Sequence, residues 1–138
     1  MTKLLIDTNI VIDLLAKREP YYASAARLFS LADMGQVKLS VSSLTFANTN
    51  YTLLKETNPQ EAKLILRKFK LLADVLPLDD KIINLALNDA EFQDFEDALQ
   101  YFSALENNQD IIITRNLKDF KKAKIPVMTA GQYLKTIE

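Results

Sequence analysis

The chain has no cysteine, no histidine and only two glycines, Gly35 and Gly131. Without cysteine there is no disulfide, thiol nucleophile or thiolate metal site. Without histidine, Ser-His-Asp and Cys-His catalysis, imidazole acid–base chemistry and most zinc sites are excluded. Two isolated glycines cannot build a Walker loop or a Rossmann fingerprint. No apolar run approaches the roughly 20 residues that span a bilayer. One lysine precedes the first apolar stretch, and no signal-peptide cleavage pattern follows, so a cytoplasmic location and no membrane contact are expected. Neither sign of charge dominates: 17 Lys and Arg face 18 Asp and Glu, a net charge of −1. What remains is chemistry built on carboxylates, amides, hydroxyls, lysine and arginine. That oxygen-rich donor set suits the hard ions Mg²⁺ and Mn²⁺.

What is present describes an ordinary globular protein. At 138 residues, 49% hydrophobic and 25% charged, the chain reads as a single domain over residues 1–138 with a sizeable core. There is no repeat, low-complexity segment or linker. Short apolar runs at Leu4–Ile6, Val37–Val41, Val75–Leu76 and Asp110–Ile113 read as buried strands, with a fifth at Val127–Met128. Helical periodicity fills the intervals from Tyr22 to Met34, from Leu44 to Leu54, from Pro59 towards Ala73, from Asp79 or Asp80 through Ala90, and from Phe95 to Asn107, with a last helix opening at Thr129. The fold class is therefore α/β, with a mostly parallel sheet of four to five strands covered by helices on both faces.

In such a sheet ligands bind along the edge formed by the carboxyl ends of the strands. Asp7 ends the first strand. Asn48 lies one turn into the helix after the second, with Ser42, Ser43 and Thr45 at its start. Asp94, Glu96 and Asp97 open the helix leading back to the fourth strand, and Thr114, Asn116 and Asp119 follow that strand in ITRNLKDF. Each group has a plain explanation: Asp7 or Thr8 as a helix cap, the carboxylates near Phe95 as partners of a helix dipole, Asn116 as a turn residue. Tyr51 and Phe102 read as core, and Asp13 as a helix-surface or supporting residue. Together, however, the carboxylates repel and raise one another's pKa unless a cation neutralises them. A divalent ion can hold a phosphate oxygen and lower the pKa of a bound water, a route to phosphodiester hydrolysis that needs no histidine. Arg115, Lys118, Lys121 and Lys122 beside the same edge suit an RNA backbone.

LLIDTNIVIDLL, FEDALQYFSALENNQDIIITRN and the closing KDF together resemble the PIN-domain nucleases, especially the small VapC-type toxins of toxin–antitoxin pairs. The resemblance covers the whole chain. It implies a three-layer α/β/α sandwich, a Mg²⁺- or Mn²⁺-dependent endoribonuclease, a homodimer, and a small antitoxin whose tail covers the site. By position it makes Asp7 and Asp97 metal ligands, with Asp94 and Asp119 completing or supporting the site. Thr114 takes the hydroxyl position of the fourth motif. Asn48 and Asn116 stand where the pattern carries carboxylates, and would position ligands, water or the scissile phosphate. A PIN-like module that binds RNA or a protein without cleaving is the alternative. An aspartyl phosphatase would need a second Asp where Asn9 stands.

Overall fold

A computed structural model describes residues 1–137. Strands β1 (Lys3–Ile6), β2 (Lys38–Ser42), β3 (Asp74–Leu76), β4 (Ile111–Ile113) and β5 (Val127–Met128) form one sheet in the order β3-β2-β1-β4-β5. Every neighbouring pair is parallel, with Leu5 beside Ser40 on one side and beside Ile112 on the other. The helices are α1 (Thr8–Leu15), α2 (Tyr22–Asp33), α3 (Ser43–Leu53), α4 (Pro59–Phe69), α5 (Asp80–Asn88), α6 (Phe95–Glu106) and α7 (Ala130–Thr136), and a single 3₁₀ turn spans Leu117–Phe120.

Side chains alternate across a strand, and that alternation builds two cores. Leu4 and Ile6 of β1, Leu39 and Val41 of β2 and Ile113 of β4 pack with Val11, Leu28, Phe29 and Leu134 from α1, α2 and α7. Leu5 and Ile112 point the other way and pack with Ile82 of α5, Leu99 of α6 and Phe120. The result is the three-layer α/β/α sandwich. Helix starts are fixed locally. Asn58 Oδ1 accepts from Glu61 N at 2.9 Å ahead of Pro59, whose missing N–H costs nothing in a first turn. Asp79 caps α5 in the same way, and Thr129 forms a capping box with Gln132.

Some elements depart from the sequence expectation. β3 is not buried: it is an edge strand paired only with β2, and Val75 is 37% exposed. The helix from Pro59 ends at Phe69, not near Ala73, because the chain must turn to lay Asp74 beside Ser40. Tyr51 is not core: Thr49 and Leu53 take the buried face of α3, and the Tyr51 ring stands in solvent under the Lys55 ammonium. Phe102 does pack, half-buried, against the second core. No helix among the described residues is long and apolar enough to cross a membrane.

The strand order decides where a ligand fits. From β1 the chain steps outward through β2 to β3, then crosses back to place β4 on the other side of β1. Connections therefore diverge beyond the carboxyl ends of β1 and β4, the crevice where open α/β sheets bind ligands.

Candidate active site at the carboxyl ends of β1 and β4

Asp7 is the first residue past β1, and its N–H donates to Ile113 O at 2.9 Å. Its carboxylate caps α1, Oδ1 accepting from Thr8 N at 2.8 Å. Oδ2 accepts from the Thr114 hydroxyl across the sheet, also at 2.8 Å. The cap reading and the site position are thus compatible, because one oxygen serves each. Asn9 Nδ2 reaches Asp7 Oδ2 and Thr114 Oγ1 at 3.4 Å. Behind them lies a buried polar layer: the Thr8 and Thr45 hydroxyls meet at 3.0 Å. Gln100 Nε2 sits 3.3 to 3.5 Å from Thr45 Oγ1, Thr8 Oγ1 and Asp7 Oδ1.

All these donors are neutral, and Asp7 is 7% exposed. Burial accordingly pushes its carboxyl above the ordinary range. The Thr114 and Thr8 hydrogen bonds oppose that rise, while the charges of Asp119 and Glu96 add to it. Asp97, half-buried in the first turn of α6, is pushed up to about 7, first by burial and then by Asp94, Asp7, Asp119 and Glu96. No ion pair among the described residues reaches either carboxylate. Carboxylates are gathered here without a direct salt bridge among the described residues.

The other residues singled out in the sequence divide into three groups. Asp94 is the N-cap of α6, Oδ1 accepting from Asp97 N at 3.0 Å, so it joins the cluster as a cap that also charges it. Asp94, Asp97 and Asp119 line a cleft of about 490 Å³ together with Lys118, Lys121 and Lys122. Asn48 and Asn116 stand apart from the hydrogen-bond layer: Asn48 is half-buried and Asn116 exposed, and among the described residues neither side-chain amide takes part in it. Asn116 contributes instead through its backbone N–H, which donates to Thr114 Oγ1 at 3.0 Å. Arg115 turns away from the lysines. Its Nε and Nη2 donate to the two oxygens of Asp13 at 2.8 and 3.2 Å, and its Cζ lies 4.0 Å from the centre of the Tyr21 ring. Asp13 is fully buried, so it is not a helix-surface residue.

Sequence reasoning missed Gln100, the hydroxyl pair Thr8–Thr45, Asn9 as a bridge, and the Asp13–Arg115–Tyr21 group. Gln100 carried a usable signal: it lies one turn after Asp97, between Leu99 and Tyr101, on the buried side of α6. The Asp13–Arg115 pair spans 102 positions and left no local trace.

The donor set limits which ion fits. Among the described residues no group of three or more acidic side chains is close enough to hold a metal unaided. Two carboxylates beside a hydroxyl and open space fit a hydrated hard cation. Mg²⁺ is held in this way, by one or two carboxylates plus waters and phosphate oxygens.

Residues 3–118 match the family model described as the PIN domain. The chain is 24% identical over 135 residues to Ribonuclease VapC1 of Aquifex aeolicus (strain VF5), the match covering 95% of this chain and 92% of that protein. A toxin–antitoxin complex from Klebsiella pneumoniae aligns with TM-score 0.70 at 24% identity, over 92% of this chain and 97% of that one. DNA-bound VapBC from Salmonella typhimurium aligns with TM-score 0.69 at 19% identity, over 94% and 99%. These structures share the fold of this chain, and the family match spans most of its sequence: the chain belongs to the PIN domain family.

Proposed function

We propose that this chain is a metal-dependent endoribonuclease that hydrolyses RNA phosphodiester bonds, and the toxin of a toxin–antitoxin pair. The observation that carries the reading is geometric: Asp7, buried at the end of β1 and hydrogen-bonded to Thr114 after β4, and Asp97 at the start of α6 have no salt bridge among the described residues. A fold that leaves two partly buried carboxylates without a cation of its own keeps the place for one from solution. Asp7 and Asp97 would hold Mg²⁺ or Mn²⁺, with Asp94 and Asp119 adding negative charge. Thr114 and Asn9 fix the Asp7 carboxylate, and Asn48 and Asn116 offer amides towards water or the scissile phosphate. Lys118, Lys121 and Lys122 would draw the RNA backbone to the adjacent cleft. When bound, the ion supplies Lewis acidity at a phosphate oxygen and lowers the pKa of water. The similar proteins named above, a ribonuclease and toxin–antitoxin complexes by name, support the toxin assignment and an antitoxin as partner. A homodimer as the assembly and the cytoplasm as the location belong to the same proposal and rest on the sequence resemblance alone.

The test is RNA cleavage with Mg²⁺ or Mn²⁺ by the native protein, Asp7→Asn and Asp97→Asn. Cleavage by the native protein alone is expected, and equal rates in all three overturn the reading. The second reading, a module that binds without cleaving, is favoured by Asn48 and Asn116 and by the absence of a third close carboxylate among the described residues. Calorimetric titration with Mn²⁺ separates the two: binding lost in Asp97→Asn supports the enzyme, and no binding at millimolar metal supports the module.

A further inference from the structure

A second cavity, of about 500 Å³, opens on the other flank of the crevice, away from the lysine cleft. That size lies within the range of small-ligand sites, roughly 300–1,000 Å³. It starts where the candidate active site ends, since Arg115 and Asn116, both in its wall, directly follow Thr114. Its most distinctive feature is the stacked pair Tyr21–Arg115, anchored from behind by buried Asp13. Ser24, Asn116 and Thr129 bring hydroxyl and amide groups to the same space.

The chemistry of this wall differs from that of the lysine cleft. Arg115 is neutralised through two hydrogen bonds to a carboxylate with no access to solvent, so it is a poor free cation for a phosphate. Held by Asp13 with its Cζ 4.0 Å over a tyrosine ring that is itself 43% exposed, it contributes instead to a cation–aromatic surface. Nucleobases stack on aromatic rings and on guanidinium planes, and their edges take hydrogen bonds from hydroxyls and amides. Gly131 lines the same space, and a Cβ there would fit at ordinary contact distance, 3.9 Å from Ser24 Oγ and 4.0 Å from Thr129 Oγ1, so a longer side chain at this position would grow into the cavity.

We propose that this cavity is a nucleobase subsite, in which the base of a nucleotide next to the scissile phosphate stacks on the Tyr21–Arg115 pair, so that this pocket sets where the RNA is cut. The assignment rests on the nuclease reading given above. It makes Tyr21 and Arg115 specificity determinants, and it divides the RNA between two walls: phosphates on Lys118, Lys121 and Lys122, one base in the pocket.

The experiment walks a single abasic nucleotide along a short, fluorescently labelled single-stranded RNA. Binding is read by anisotropy in an Asp97→Asn background, so that the RNA survives, and cleavage is read with the native protein. One position is expected to lose about 10-fold in affinity when its base is removed, the scale of a single base–aromatic stack. That loss should disappear when Tyr21→Ala is added and persist with Tyr21→Phe. Gly131→Leu should also abolish it by filling the space while leaving Tyr21 and Arg115 in place, so agreement between the two variants is not a folding artefact. Equal sensitivity to abasic sites with and without Tyr21→Ala overturns the proposal, as expected if a protein segment occupies the cavity instead. Metal-dependent cleavage without such coupling removes the base subsite alone. Coupling without cleavage by the native protein removes the nuclease reading and leaves the subsite. RNA that is neither bound nor cut removes both.

Discussion

Asp7 and Asp13 lie six positions apart in sequence, at the start and near the end of α1, and both are buried. Asp13 has a cation, Arg115, on both carboxylate oxygens. Among the described residues Asp7 has only neutral donors, from Thr8, Thr114, Asn9 and Gln100. Burying a carboxylate is costly unless it is paired, hydrogen-bonded or bound to a metal, and the two sites answer that cost differently. At Asp13 the charge is closed off within the protein. At Asp7 geometry is fixed while charge is left over, and the surplus extends to Asp97. A single helix thus carries one aspartate paired with a cation of the protein and, at its cap, one held by neutral donors.

The sharpest way to break this contrast is to make Asp13 resemble Asp7. Arg115→Met leaves a fully buried carboxylate without its cation and should cost about 3–5 kcal/mol in urea denaturation. Adding Asp13→Leu to Arg115→Met should recover most of that loss, because a well-packed apolar replacement for a buried pair is near neutral. If Arg115→Met alone is as stable as the native protein, the pair is not holding the structure.

Next in size is the opposite end of the comparison. Asp7→Asn or Asp97→Asn should lower metal-dependent cleavage by at least about 100-fold, since loss of groups that merely support a ligand already costs about 10–100-fold. Thr114→Val should fall within that supporting range: weaker Mn²⁺ binding in calorimetry and about 10-fold slower cleavage, with the protein still folded. Equal Mn²⁺ affinity in Thr114→Val would show that the hydroxyl does not set the Asp7 carboxylate.

The smallest effect is on stability against pH. Asp97 is held near pH 7 in the folded protein against an ordinary value of 3.8. Between those values the folded state keeps a proton that the unfolded state has lost, so this group's contribution to stability falls as pH rises through the window. Asp97→Asn should therefore stabilise the metal-free protein at pH 7.5, and the gain should fade as pH falls towards 4. A stability difference independent of pH would contradict the uncompensated charge at Asp97.

Much of the fold was legible because its signals are local. The strand runs at Leu4–Ile6 and Val127–Met128, the Asn58-Pro59 helix start and the Thr129 cap all depend on side chains within a few positions of one another. β3 was located correctly but its exposure was not, because an edge strand and an inner strand are alike until the sheet order is known. At the candidate site, the placement of Asp7 and Thr114 on one edge followed from strand ends alone, and they meet at 2.8 Å. Gln100 and Asp13 were passed over because their partners come from other elements: Thr8 and Thr45 for one, Arg115 and Tyr21 for the other.

By itself the sequence determined the chemistry available: no thiol and no imidazole, hence carboxylates, amides, hydroxyls, lysine and arginine, carried on strands and helices in an alternating order. Only the tertiary structure decided which charges are satisfied. Residue type and spacing set what a side chain can do, but compensation depends on distances across 100 positions or so, fixed when β4 docks beside β1. That docking gave Asp13 its arginine and gave Asp7 the Thr114 hydroxyl, with no salt bridge among the described residues.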